Sequence, residues 1–166
     1  MNWTRFTIAL VIVTLLQASF VDAIAIAGIK PNLLLVVLVF FAIYVNPSEA
    51  IITSFIIGFA ADIALGTTIG PHIIGFGLFG TLLANLNRVI AIRQLQYQCL
   101  AIFATGFLSG LVVWFLTTVR RQPLGQNITA ILLQMPLYSS VIGPLLFIPC
   151  AWWMNVNLHR FSRQQP

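Results

Sequence analysis

The chain has 166 residues, 60% of them hydrophobic and only 7% charged, where ordinary soluble domains are roughly 25% charged. A soluble chain of this size buries only about two-thirds of its unfolded surface, so the composition excludes a soluble enzyme and a disordered tail and points to an integral membrane protein. The formal charge of +5 comes from eight Lys and Arg against three acids, scattered beside apolar runs rather than clustered as in a nucleic-acid binder.

Six hydrophobic runs follow one another between polar, Pro or Gly punctuation. The first covers residues 6–28 and the second runs from Pro31 to Val45. The third follows Asn46-Pro47-Ser48-Glu49 and extends to Leu65. The fourth, fifth and sixth occupy residues 72–86, 95–119 and 128–154. No stretch between them is long enough for a soluble domain, so residues 1–166 read as a single transmembrane domain. The predicted fold class is all-α, with about six transmembrane helices, several of them short or bent.

Local signals support separate helices. Pro31 and Pro47 suit first helical positions, where a missing N–H costs nothing. Asn46 suits the N-cap of the third helix, and Glu49 its first turn. A fifteen-residue run covers only about 22 Å, against a hydrocarbon core near 30 Å. Each short run must therefore borrow flanking residues, or one is a partial span buried by its neighbours. Pro136, Pro144 and Pro149 predict a sixth helix that is bent or broken and packed against protein.

With six spans and a cytoplasmic N-terminus, Arg5, Arg88, Arg93, Arg160 and Arg163 fall inside, and Lys30, Arg120 and Arg121 outside. That bias agrees with both termini being cytoplasmic. Arg5, the first apolar run and Ala23-Ile24-Ala25 imitate a signal peptide, but the run is longer than a usual signal core and reads as an uncleaved first helix.

Little chemistry is available to such a chain. Asp22, Glu49 and Asp62 are the only carboxylate side chains, and residues 63–166 contain none, which excludes paired-carboxylate hydrolysis there. No Ser or Cys has a plausible base and carboxylate partner. Cys99 and Cys150 sit in apolar runs and read as small buried residues rather than a disulfide. His72 and His159 are too far apart for a metal pair, and both are expected at the membrane interface. No cofactor, metal site or enzymatic activity is therefore expected.

Glycine patterns need weighing against chance. Gly75-Phe76-Gly77-Leu78-Phe79-Gly80 matches GxGxxG, but a dinucleotide site needs a preceding strand and a following acid. These glycines read instead as close helix packing. Gly106-Phe107-Leu108-Ser109-Gly110 is a GxxxG that could pack within the chain or against a partner. Asn127-Ile128-Thr129 is formally a glycosylation sequon and reads as coincidence.

Asp62 stands apart, because an ionisable residue within a span is costly and marks a functional hypothesis. It is predicted near the C-terminal end of the third helix, where the dipole disfavours a carboxylate. Compensation is expected from Lys30, Arg120, Arg121 or the backbone N–H groups near Gly70–His72. A structural pin between helices and a partner contact are both open readings. Ser54, Gly58, Asp62, Gly66 and Gly70 are spaced four apart, so small residues clear a helical stripe that lets another backbone approach. The helix should end near Gly66, leaving Gly70 to the turn.

Two linked pieces of sequence resemble the rod shape-determining protein MreD family. One is Lys30-Pro31-Asn32-Leu33-Leu34-Leu35 at the start of the second span. The other is Gly58-x3-Asp62-x3-Gly66-x3-Gly70, with Ser54 standing where many relatives would have Gly. The resemblance implies a non-enzymatic scaffold in the bacterial inner membrane, supporting rod shape and lateral peptidoglycan synthesis. It also implies MreC as partner, with RodA, its penicillin-binding transpeptidase and, indirectly, MreB. Pro31, Asn32, Gly58, Asp62, Gly66 and Gly70 would form the partner-binding or structural motif. The family fold is similar to transporter substrate-binding subunits, which supplies the rival reading of a small-solute (vitamin-like) binding subunit. Asn85, Asn87, Gln134 and Tyr138 would be its polar groups.

Overall fold

The computed structural model describes residues 2–21, 23–25, 28–65, 69–89, 94–120 and 128–154. Among these there are six α-helices and no β-strand: α1 (Trp3–Ser19), α2 (Leu33–Tyr44), α3 (Pro47–Ala64), α4 (Pro71–Val89), α5 (Leu95–Val119) and α6 (Met135–Met154). Three apolar stretches are long enough to cross a membrane, Pro47–Ala64, Gln96–Val119 and Ile131–Met154.

The fold is organised around its shortest helix. α2 has 12 residues, about 18 Å at 1.5 Å per residue, and every residue from Leu33 to Ile43 is buried. The other five helices surround it in the neighbour order α1, α3, α4, α5, α6 and back to α1. This explains the uninterrupted run Leu-Leu-Leu-Val-Val-Leu-Val-Phe-Phe-Ala-Ile. A helix apolar on every side belongs inside protein or membrane, and here protein covers it all round. Aromatic rings fill the ring at one level: Phe41 meets Phe6 of α1 at 5.0 Å between centroids, and Phe40 meets Phe147 of α6 at 5.5 Å.

Burying α2 requires partners for the polar groups at its backbone ends. At its start, the Asn32 side chain accepts from the Leu35 N–H at 3.0 Å. The Gln17 side chain accepts from the Leu33 N–H at 2.7 Å and donates to the Pro31 carbonyl at 3.3 Å. The Asn32 N–H donates to the Ser139 hydroxyl at 2.8 Å. At its end, Asn87 of α4 donates to the Ile43 carbonyl at 2.7 Å, and Gln98 of α5 donates to the Tyr44 hydroxyl at 2.7 Å. Gln17→Leu should therefore destabilise the protein by about 1–3 kcal/mol, because it strands a buried N–H and a buried carbonyl together. Thermal unfolding in detergent, read against an exposed substitution such as Leu15→Ala, checks this.

These ties also fix which helix ends lie together. The α2 and α4 C-terminal ends meet through Asn87, so their N-terminal ends share the opposite face of the bundle. Trp153 near the end of α6 donates its indole N–H to the Arg5 carbonyl at 3.2 Å, and Arg5 donates back to the Trp153 carbonyl at 3.5 Å. The first and last helices thus clasp at one end.

Several local expectations are corrected. Pro31 precedes α2 instead of opening it, because Asn32 takes the N-cap. Asn46 holds the N-cap position of α3, but its side chain makes no capping bond; Pro47 does sit at the start of α3. The sixth run is neither broken at its prolines nor wholly packed against protein. Pro144 and Pro149 lie inside a continuous α6, and Pro149 is exposed. The irregularity falls earlier, in a π-helical turn at Ala130–Gln134 just before Pro136. There the missing proline N–H frees an upstream carbonyl and the helix widens locally. Cys99 and Cys150 are free thiols and only partly buried; Asp22 and His159 lie outside the described residues.

Candidate functional site

The small-residue stripe of α3 faces α4. The two antiparallel helices meet at Ser54 with Gly80, Gly58 with His72 and Ile73, and Asp62 with Gly70 and His72. At Gly58 the approach is between backbones: a Cβ there would lie 2.7 Å from the His72 carbonyl oxygen and 2.8 Å from the Ile73 Cα. At Gly80 a Cβ would run into the Ser54 side chain. The hydroxyl of Ser54 is itself turned back to the Ala50 carbonyl at 2.7 Å.

This approach delivers the Asp62 carboxylate, which is fully buried, to the first turn of α4. Asp62 accepts from the N–H of Gly70 at 2.8 Å, of His72 at 3.0 Å and of Ile73 at 3.3 Å. Pro71, the first helical residue, has no N–H, and Ile74 already bonds the Gly70 carbonyl at 3.0 Å. One carboxylate thus pairs every donor that the start of α4 would leave orphaned. An N-cap side chain usually pairs one or two of these from the residue just before the helix; here the cap comes from the neighbouring helix. The positive end of the α4 dipole offsets the unfavourable end of α3.

Gly70 fits the turn because its φ of 131° lies in the left-handed region that favours glycine. Beside it the Arg120 side chain donates to the Ile69 carbonyl at 3.3 Å. Of the compensators expected for Asp62, the backbone at Gly70–His72 is therefore in direct contact, whereas Arg120 bonds the turn. Gly66 and Arg121 lie outside the described residues.

His72, expected at the membrane interface, makes a contact that the sequence reading did not foresee. It is buried, its Nδ1 lies 2.9 Å from Asp62 Oδ1, and its ring meets Phe76 edge-on at 5.6 Å. Periodicity gave no sign of this pairing, because ten residues and a turn separate the two side chains. The readable signal was Gly70-Pro71-His72 as a helix start following an acid at the preceding helix end.

The other glycine motifs are packing devices within the chain. Gly75 lies against Ser109 of α5, and Gly77 beneath the Phe55 ring. Gly106 of the GxxxG faces Leu35 and Pro136, and Gly110 faces the Ile131 carbonyl. That seam joins α5 to α2 and to the entry of α6, so those faces are not free for a second copy.

Both pieces of the sequence motif are thus helix-starting devices at the same end of the bundle: Asn32 caps α2 locally, and Asp62 caps α4 from across the helix pair. A family model described as rod shape-determining protein MreD matches residues 1–156. The chain belongs to the MreD family. Its role is accordingly in rod-shape determination, and the MreD family is a shape-determining family, not one known for catalysis. Three long apolar helices agree with a membrane protein. No curated protein and no solved structure matches the chain.

The polar residues that a solute site would need do not converge. Asn87 is committed to the Ile43 carbonyl and Tyr138 to the Ile24 carbonyl at 2.8 Å, while Asn85 and Gln134 are exposed. Among the described residues, no group of three or more His, Cys, Asp or Glu could hold a metal ion.

Proposed function

We propose that this MreD-family chain is a non-enzymatic scaffold of the cell-wall elongation machinery, crossing the bacterial inner membrane six times with both termini cytoplasmic. It binds MreC and, in the same assembly, supports RodA and its penicillin-binding transpeptidase, with MreB engaged indirectly. The observation that carries the reading is the use of the family motif: its chemistry-bearing residue is spent on joining α3 to α4, which suits a rigid adaptor. The clasp between Arg5 and Trp153 supports an even number of passes.

The Gly58 face is covered by α4, so the motif acts on a partner by setting how α3 and α4 sit. Their outward sides remain available, with Ile52, Phe55, Phe59 and Ile63 of α3 exposed alongside Ile74, Leu78 and Leu82 of α4. Apolar side chains of this kind can be covered by lipid or by a partner helix. The test is a pull-down of the tagged chain from membranes in mild detergent, read by mass spectrometry. MreC and wall-synthesis enzymes are the expected recoveries. Transporter ATPases without MreC would overturn the scaffold reading in favour of a solute-binding subunit.

A further inference from the structure

The contact between Asp62 and His72 leaves one atom unaccounted for. An ionised carboxylate only accepts, so Nδ1 of His72 carries the proton directed at Asp62, and in the neutral ring Nε2 is an acceptor. Among the described residues, every buried side-chain nitrogen or oxygen has a partner, yet the His72 ring is bonded only through Nδ1. Nε2 is therefore not sealed inside the protein. It is the reachable atom of a residue that is only 8% exposed, and the carboxylate beneath fixes its direction.

The depth of this atom narrows what it can meet. Gly75 of α4 lies against Ser109 of α5. With the two helices side by side, a rise of 1.5 Å per residue puts His72 about 12 Å inside the Arg120 end of α5. Phe115 and Val119, both exposed, lie farther out on α5 than His72 does. Nε2 thus opens beside apolar side chains, two residues inside the Gly70 turn that the Arg120 guanidinium meets. An unpaired acceptor there costs free energy that lipid tails cannot offset.

We infer that Nε2 of His72 accepts a hydrogen bond from a hydroxyl or amide side chain on a partner's membrane-spanning helix, with Asp62 as the positioning residue that holds the ring. The inference rests on the scaffold reading above and supplies the contact chemistry which that reading lacks. Association of helices in lipid draws on such interhelical polar contacts as well as on packing.

The experiment uses the full chain in nanodiscs with full-length MreC as the probe. His72→Asn places an amide near Nδ1, preserving the tie to Asp62 while deleting Nε2; His72→Gln restores a polar atom near Nε2. Expected is a roughly 3- to 30-fold loss of MreC affinity for His72→Asn, the range of one interhelical hydrogen bond in a membrane, with thermal stability retained and partial recovery in His72→Gln. In ¹⁵N-histidine-labelled wild type, the unprotonated Nε2 resonance should move upfield on adding MreC. Wild-type affinity in His72→Asn, or affinity lost only in step with thermal stability, overturns the inference while leaving MreC binding intact. No binding of MreC by the wild type overturns the scaffold reading instead.

Discussion

Replacing Gly58 is expected to be the most damaging single change in the chain. The first atom added at that position meets backbone, the His72 carbonyl at 2.7 Å and the Ile73 Cα at 2.8 Å. Neither can rotate away as a side-chain tip could. Gly58→Ala must separate α3 from α4, and overpacking of this kind costs about 1–3 kcal/mol. Separation also lengthens the bonds from Asp62 to the start of α4, so the two losses are coupled. Gly58→Leu should prevent the helix pair from forming. Thermal unfolding of purified protein and rescue of rod shape in cells lacking the native protein check both variants. Gly58→Ala should lower the melting temperature yet leave some rods, whereas Gly58→Leu should give neither folded protein nor rods. A Gly58→Leu variant with wild-type stability would show that α3 and α4 are not held as described.

Asp62→Ala ranks between Gly58→Leu and Gly58→Ala. It strands three backbone N–H groups and the His72 ring nitrogen at a buried to part-buried site. Leaving one buried donor unsatisfied costs about 1–3 kcal/mol, and bonds to a charged group stand at the upper end. A loss of at least about 3 kcal/mol is expected, enough to consume much of the stability of an ordinary domain. Asp62→Asn separates geometry from charge. Its one remaining oxygen can still accept from part of the turn, so its destabilisation should fall between wild type and Asp62→Ala. Equal stability of all three proteins in detergent would refute the capping role. The Gly70 position adds a control: with φ at 131°, Gly70→Ala should destabilise through backbone strain, because the space around it admits a methyl group apart from the Arg120 side chain.

Much of the candidate site was legible as spacing. The stripe Ser54, Gly58, Asp62 predicts that another backbone comes close to a carboxylate, and the structure supplies it. What the spacing leaves open is whose backbone arrives. A helical stripe of small residues looks the same whether it receives a partner or the next helix of its own chain, and the choice depends on the turn at Gly70-Pro71 folding α4 back. The Gly106–Gly110 seam is a second case. His72 escaped because its partner lies across a turn, where helical periodicity carries no information.

Low charge, six apolar runs and the isolation of Asp62 are properties of the sequence by itself. They determine a membrane protein, the starts and ends of most helices, and the one carboxylate needing an explanation. The tertiary structure decided that the shortest run becomes the central helix, its ends tied by Gln17, Asn32 and Asn87, and that Asp62 caps α4. The physical reason is that hydropathy measures an average preference for an apolar surrounding. It does not distinguish lipid from protein, and it cannot tell which donor will pair a buried acceptor.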